Sequence, residues 1–395
     1  MLLRPEDPGT LSSMNDLAFI FLKQGKFEDA GKLNTQVLNL CTKLLGPGHP
    51  GTLTSMSNLA LTFSNQGKFE EAKQLNMQVL NLHTKLLGPE HPDTLVSMNN
   101  LALSFSKQGK FEEGEKLNMQ VLNLCTKLLG PEHPGTLSSM NNFASIFSNQ
   151  GKFEEAEKLI MQVLNLCAKL LGPEHPHTLT SMNNLASTFS GQGKFEEAEK
   201  LNMQVLDLCT KLLGLEHPDT LVSMNTLASI FAKQLKFEEA KKLNMQVLNL
   251  QTKLLGPEHL HTLTSMSNLA SILSNQGNFE EAEKLNMQVL NLRTKLLGPN
   301  HPGTLTSMNN LASTFSGQGK FEEAEKLSIQ VLNLCTKQLG PEHLHTLTSM
   351  SNLASIFSAQ GKFKEAEKFK MQVLNLHTKL LGPEHLQTLT SMSRH

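Results

Sequence analysis

The 395-residue sequence has no tryptophan and no tyrosine, and phenylalanine is its one aromatic residue type. That removes most of the flat side chains on which a single-stranded nucleic acid would stack. An excess of either charge is missing too: 35 Lys and Arg stand against 36 Asp and Glu, a net charge of −1. Such a chain projects no basic field toward nucleic acid or an anionic membrane. No run approaches the ~20 apolar residues of a membrane span. The opening residues, Met1-Leu2-Leu3-Arg4-Pro5-Glu6-Asp7, hold no apolar leader core. Cysteine is scarce, with five copies, and the odd number argues against a full disulfide framework. The expectation is a soluble, cytoplasmic protein with reduced thiols and with neither nucleic acid nor membrane among its partners. No Gly-x-x-x-x-Gly-Lys-Ser/Thr loop occurs, and no cofactor is expected.

What the sequence does have is repetition. Gly-Lys-Phe recurs at a step of 42 residues, starting at Gly25, Gly67, Gly109, Gly151, Gly193, Gly319 and Gly361. Leu235-Lys236-Phe237 and Gly277-Asn278-Phe279 fill the other two places, which makes nine repeats without insertion or deletion. A period of that size means stacked supersecondary units, each burying its apolar face on its neighbours. Within one repeat, Leu179, Met182, Leu185, Ala186 and Phe189 form an apolar stripe at helical spacing, predicting a first helix over about 178–192. Gly193 breaks it, as a residue that tolerates positive φ. Phe195, Ala198, Leu201, Val205, Leu208 and Leu212 predict a second helix over 195–213, with Glu196 and Glu197 in its first turn and Lys211 in its last. Glu196 and Lys200 are spaced for an i,i+4 pair. Gly214 stops the helix, a Leu-Gly-Pro-Glu-His-Pro-type connector follows, and Thr178 is the expected N-cap of the first helix. Beta-propeller blades share the period, but segments rich in Leu, Met, Glu, Lys, Gln and Ala are helix formers.

Leu185-Ala186, Phe189, Gly193, Phe195 and Ala198 resemble the packing skeleton of tetratricopeptide repeats. The longer frame of Asn-Asn-Leu-Ala, Gly-Lys-Phe-Glu-Glu-Ala-Glu and Leu-Gly-Pro-Glu-His-Pro is similar to the 42-residue variety of kinesin light chains. The near-identity of the units is similar to arrays in fungal NACHT and NB-ARC receptors. The heptad segment of the first class and the phosphate loop of the second are both lacking. The resemblance implies an all-α, right-handed superhelical solenoid of antiparallel helix pairs. The expected layout is a partial repeat over 1–9, nine repeats over 10–387, and a partial tenth over 388–395. Neither end carries a polar cap, so the expectation is either a piece of a longer protein or ends that fray or self-associate.

In that fold the first helices line a groove, and the resemblance places one asparagine row in it: Asn58, Asn100, Asn142, Asn184, Asn268, Asn310 and Asn352, with Asp16 and Thr226 at the same place elsewhere. An amide offers a donor and an acceptor to a peptide backbone, or equally to a neighbouring repeat. Two turns further on, the residue varies: Lys23, Asn65, Lys107, Asn149, Gly191, Lys233, Asn275, Gly317 and Ala359. Of these, Asn65, Lys107, Asn149, Lys233 and Asn275 are candidate ligand-reading residues. Phe19, Leu61 and Leu103 replace the serine of later repeats and make the groove's beginning more apolar.

His49, His91, His133, His175 and their successors recur once per repeat. Cys41, Cys125, Cys167, Cys209 and Cys335 share another place, held elsewhere by His83, Gln251, Arg293 and His377. Neighbouring helices lie ~8–10 Å apart, too far for equivalent side chains to share a zinc ion or a disulfide. The histidines are expected to cap the connectors, and no metal site is expected. No repeat adds a nucleophile beside a base, so no enzyme is expected. The leading reading is a non-enzymatic scaffold that binds a peptide or helix of a partner protein. The alternatives are a receptor sensor array, a kinesin-light-chain-like cargo adaptor and, remotely, a metal or redox protein using the His and Cys rows.

Overall fold

A computed structural model describes residues 8–381, so most of the expected partial repeat at 1–9 and all of that at 388–395 lie outside the described residues. Among the described residues the secondary structure is eighteen α-helices with no strand. The odd helices are α1 (Pro8–Lys23), α3 (Pro50–Asn65), α5 (Pro92–Lys107), α7 (Pro134–Gln150), α9 (Pro176–Gly191), α11 (Pro218–Lys233), α13 (Leu260–Asn275), α15 (Pro302–Gly317) and α17 (Leu344–Ala359). The even helices are α2 (Phe27–Leu45), α4 (Phe69–Leu87), α6 (Phe111–Leu129), α8 (Phe153–Leu171), α10 (Phe195–Leu213), α12 (Phe237–Leu255), α14 (Phe279–Leu297), α16 (Phe321–Leu339) and α18 (Phe363–Leu381). Each repeat is one odd–even hairpin, repeat one being α1 and α2. The chain divides into two compact units, Met1–Ile146 and Phe147–His395, with the division inside α7.

Consecutive helices pack on one another from α1 to α6 in the first unit and from α8 to α18 in the second. Odd helices also touch the next odd helix, as in α9 with α11 and α13 with α15. The core therefore lies where two repeats meet. Leu305 and Met308 of α15 bury against Val331 and Cys335 of α16, and Leu290 of the preceding α14 packs on the same cluster. Leu221 and Met224 of α11 meet Val247 of α12, with Leu206 of α10 beside them. A single hairpin could not cover its apolar face; its neighbours do so.

The helix ends show how the sequence fixes the hairpins. Even helices begin at Phe, carry Glu in the first turn and Lys in the last, as α10 does with Glu196, Glu197 and Lys211. These charges oppose the helix dipole. The hairpin turn needs positive φ, which Gly193 supplies at +80°. In repeat six Leu235 takes that conformation at φ +63°, the one non-glycine residue to do so among the described residues.

The expected N-cap is corrected. His175, not Thr178, caps α9, its Nδ1 accepting a hydrogen bond from the His177 amide at 3.2 Å. Thr178 sits in the first turn and donates to the Gly172 carbonyl at 2.8 Å, tying the helix start to the end of α8. The same threonine bond closes other connectors, from Thr52–Gly46 to Thr346–Gly340. The same imidazole cap forms on α13 and α17, where Leu260 and Leu344 replace the proline, so it does not depend on Pro176. The first helix accordingly starts two residues earlier than expected and ends one earlier.

Candidate functional site

The exposed side of an odd helix is a narrow stripe. In α13 it comprises His261, Thr264, Asn268, Ser271 and Asn275, all exposed. Two of the sequence-derived candidates, Asn268 and Asn275, thus share one stripe. Asn58, Asn100, Asn142, Asn184, Asn310 and Asn352 are half-buried at the place of Asn268. Asn310 donates to Ser267 Oγ on the preceding odd helix at 3.1 Å, so this member ties neighbouring repeats together. Among the described residues, the side-chain amides of Asn58, Asn100, Asn142, Asn184, Asn268 and Asn352 have no hydrogen-bond partner within the protein.

The varied place is more structural than its variability suggested. Lys107 donates to Ser64 Oγ at 2.8 Å and Lys233 to Ser190 Oγ at 3.1 Å, each reaching the preceding odd helix. At Gly191 and Gly317 an added Cβ would overlap the rings of Phe153 and Phe279. Asn149 and Asn275 are exposed and Asn65 is half-buried. The three apolar substitutions are Phe19 at 55% exposed, Leu61 at 48%, and Leu103, half-buried.

Two features escaped the sequence reading. The first is a buried row on the even helices: Asn34, Asn76, Asn118, Asn202, Asn244 and Asn286, with Ile160 and Ser328 at the same place. Asn34 donates to Thr62 Oγ1 at 2.8 Å, Asn76 to Ser104 Oγ at 2.8 Å and Asn286 to Thr314 Oγ1 at 3.0 Å, each 28 residues on in the next odd helix. The signal was the alternation of Thr or Ser with Ile at that partner place, which governs whether the amide finds a hydroxyl.

The second is the contact that the cysteine row, already visible in the sequence, makes with the next odd helix. Ser55 Oγ donates to Cys41 Sγ at 3.5 Å, and where the cysteine is replaced the contact persists: His83 Nδ1 to Ser97 Oγ at 2.7 Å, Ser265 Oγ to Gln251 Oε1 at 2.8 Å, and Arg293 Nη1 to Ser307 Oγ at 2.9 Å. All five cysteines are buried and unpaired. Burial pushes the thiols of Cys125, Cys167, Cys209 and Cys335 up, the opposite of an activated nucleophile. Among the described residues no three His, Cys, Asp or Glu side chains gather to hold an ion.

At Cys209 the row opens a cavity of about 120 Å³ between α9, α10 and α11. Val205 and Cys209 form its buried floor, and Thr180, Asn184, Asp219 and Val222 its rim. The predicted Asn184 therefore lines this pocket together with Asp219, whose Oδ2 lies 3.8 Å from His217 Nδ1.

The tetratricopeptide repeat profile matches residues 9–85, 64–113, 99–164, 141–211, 191–253, 219–295, 261–332 and 310–379. No curated protein matches the chain. A crystal structure of nearly identical TPR-like repeats of a Podosopora anserina kinesin light chain protein is similar at 35% identity, covering 52% of this chain and 97% of that one, with a TM-score of 0.45. The apo quorum sensor NprR from B. thuringiensis is similar at 16% identity, with 93% and 99% coverage and a TM-score of 0.56. A Rap protein complexed with Competence and Sporulation Factor is similar at 10% identity, with 94% and 99% coverage and a TM-score of 0.60. Among the described residues no helix is long and apolar enough to cross a membrane.

Proposed function

The chain belongs to the tetratricopeptide repeat family, and from that premise we propose that it is a non-enzymatic scaffold whose odd-helix face binds an extended segment of a partner protein. One observation carries the reading. The even-helix asparagines are buried in the joints, whereas six odd-helix amides, Asn268 exposed and the other five half-buried, have no partner of their own among the described residues. An amide that the fold does not use is able to pair with both the N–H and the C=O of an extended backbone. The apolar residues Phe19 and Leu61 add contact area in the first compact unit. A cytoplasmic setting suits five thiols held in the reduced state.

A displayed library of extended peptides, selected against the full chain, tests this. Asn184→Ala with Asn268→Ala should weaken a selected peptide about 5- to 150-fold, since each net hydrogen bond contributes roughly 0.5–1.5 kcal/mol. Melting should stay unchanged, because neither amide has an internal partner. Unchanged affinity, or a drop in melting temperature alone, would overturn the reading.

A further inference from the structure

The Cys209 cavity has an internal counterpart that shows what fits it. In repeat seven the same place holds Arg293, only 8% exposed. Its Nη1 donates to the Gly303 carbonyl at 3.1 Å and to Ser307 Oγ at 2.9 Å, and its Nη2 to Thr264 Oγ1 at 3.3 Å. Both hydroxyls spend their own protons on carbonyls four residues back, Ser307 on Gly303 and Thr264 on Leu260, at 3.1 and 2.9 Å. Their lone pairs are left for the guanidinium, which is a donor only.

The Cys209 cavity repeats this acceptor set. Ser223 Oγ donates to the Asp219 carbonyl at 3.1 Å and Thr180 Oγ1 to the Pro176 carbonyl at 2.9 Å, so both hydroxyls again offer lone pairs. Cysteine in place of arginine leaves the volume open. Aspartate in place of Gly303 adds a carboxylate, close enough to Cys209 that its charge helps hold the thiol up. Along the array a cysteine on the floor meets glycine or histidine at the rim in the other four cases: Gly51, Gly135, His177 and His345. Asp93, the other rim aspartate, stands over His83, which fills its place. Room and negative charge coincide once.

We propose that the Cys209 cavity is a subsite for one arginine side chain of a partner peptide, which enters from the odd-helix face and supplies the guanidinium that Arg293 supplies from within. The proposal rests on the scaffold reading above and names the residue type that this part of the face selects.

The test uses the full chain with methyl labels on Val205 and Val222, titrated with a short acetylated, amidated peptide holding one arginine among alanines. The citrulline counterpart keeps the shape and removes the charge. The arginine peptide should shift both methyl signals saturably, and the citrulline peptide should bind at least about tenfold more weakly. Cys209→Arg should fill the subsite and abolish the shifts. Asp219→Gly, which installs the residue native to the Arg293 site, should weaken binding about ten- to a hundredfold. Equal binding of the two peptides, or unchanged binding by Asp219→Gly, overturns the proposal even where Cys209→Arg fails to fold. Arg293→Cys with Gly303→Asp should build a second subsite. If the array holds selected peptides through Asn184 and Asn268 without preferring arginine, this subsite falls and the scaffold reading stands.

Discussion

Repeats six and seven follow one pattern, with odd helices of 16 residues and even helices of 19, yet they are held differently. Repeat seven turns through Gly277 at φ +84°; repeat six turns through Leu235 at +63°, its side chain 73% exposed. Asn286 reaches Thr314 across the joint to repeat eight. Its counterpart Asn244 is buried with neither amide atom bonded, because the place 28 residues on is Ile272. Asn202 also faces an isoleucine place, at Ile230, and turns back to Asn183 Oδ1 at 2.8 Å. Asn244 makes no such bond to Asn225, the equivalent of Asn183. At the hairpin edge Glu283 pairs with Lys320 at 2.9 Å, whereas repeat six has Lys241 there and the next turn has Asn278. The swap avoids two facing lysines but forfeits the ion pair. The comparison teaches that a stacked array tolerates a poorly satisfied repeat, because each repeat answers only to its neighbours. Repeat six should therefore open first of the two in hydrogen exchange.

The contrast is breakable from either side. The largest effect is expected from Thr314→Ile, which gives repeat seven the joint of repeat six. Leaving Asn286 buried without its acceptor should cost about 1–3 kcal/mol in denaturant unfolding. No loss would mean that the bond contributes nothing. Asn244→Ile works in the other direction, installing the residue that Ile160 already holds at this place. It should stabilise by about 1–2 kcal/mol and slow exchange in α12 and α13; destabilisation would show that Asn244 is satisfied after all. Leu235→Gly should stabilise by about 1 kcal/mol, since an L-residue at positive φ is strained by roughly that much and the exposed side chain leaves little packing to lose. Its check is the melting temperature of the single variant. The smallest effect concerns pH. The hydrogen bonds from Lys320 and Gln318 hold the Glu283 carboxyl below its ordinary value. A depressed folded value means the contribution is full above the ordinary carboxylate range and is lost as pH falls through the folded value. Acid should therefore speed exchange at the joint between repeats seven and eight, and Glu283→Gln should remove that part of the pH dependence.

The sequence by itself determined the period, the helix pairs and the placement of glycine at the turns, because helical periodicity and turn chemistry are local. It also marked the histidines as connector caps, although it gave the cap of α9 to Thr178, whose hydroxyl is instead spent on the Gly172 carbonyl once the connector folds. The tertiary structure alone decided which polar residues are spent inside. Asn184 and Asn202 are the same residue type in one hairpin, yet the second is buried in a joint and the first lines a cavity. Lys107 and Lys233 looked like free reading residues until the neighbouring odd helix brought Ser64 and Ser190 within reach. The cavity at Cys209 is likewise a product of stacking. Its floor, rim and carboxylate come from three helices of two repeats, so its existence depends on side chains brought together only when those repeats pack.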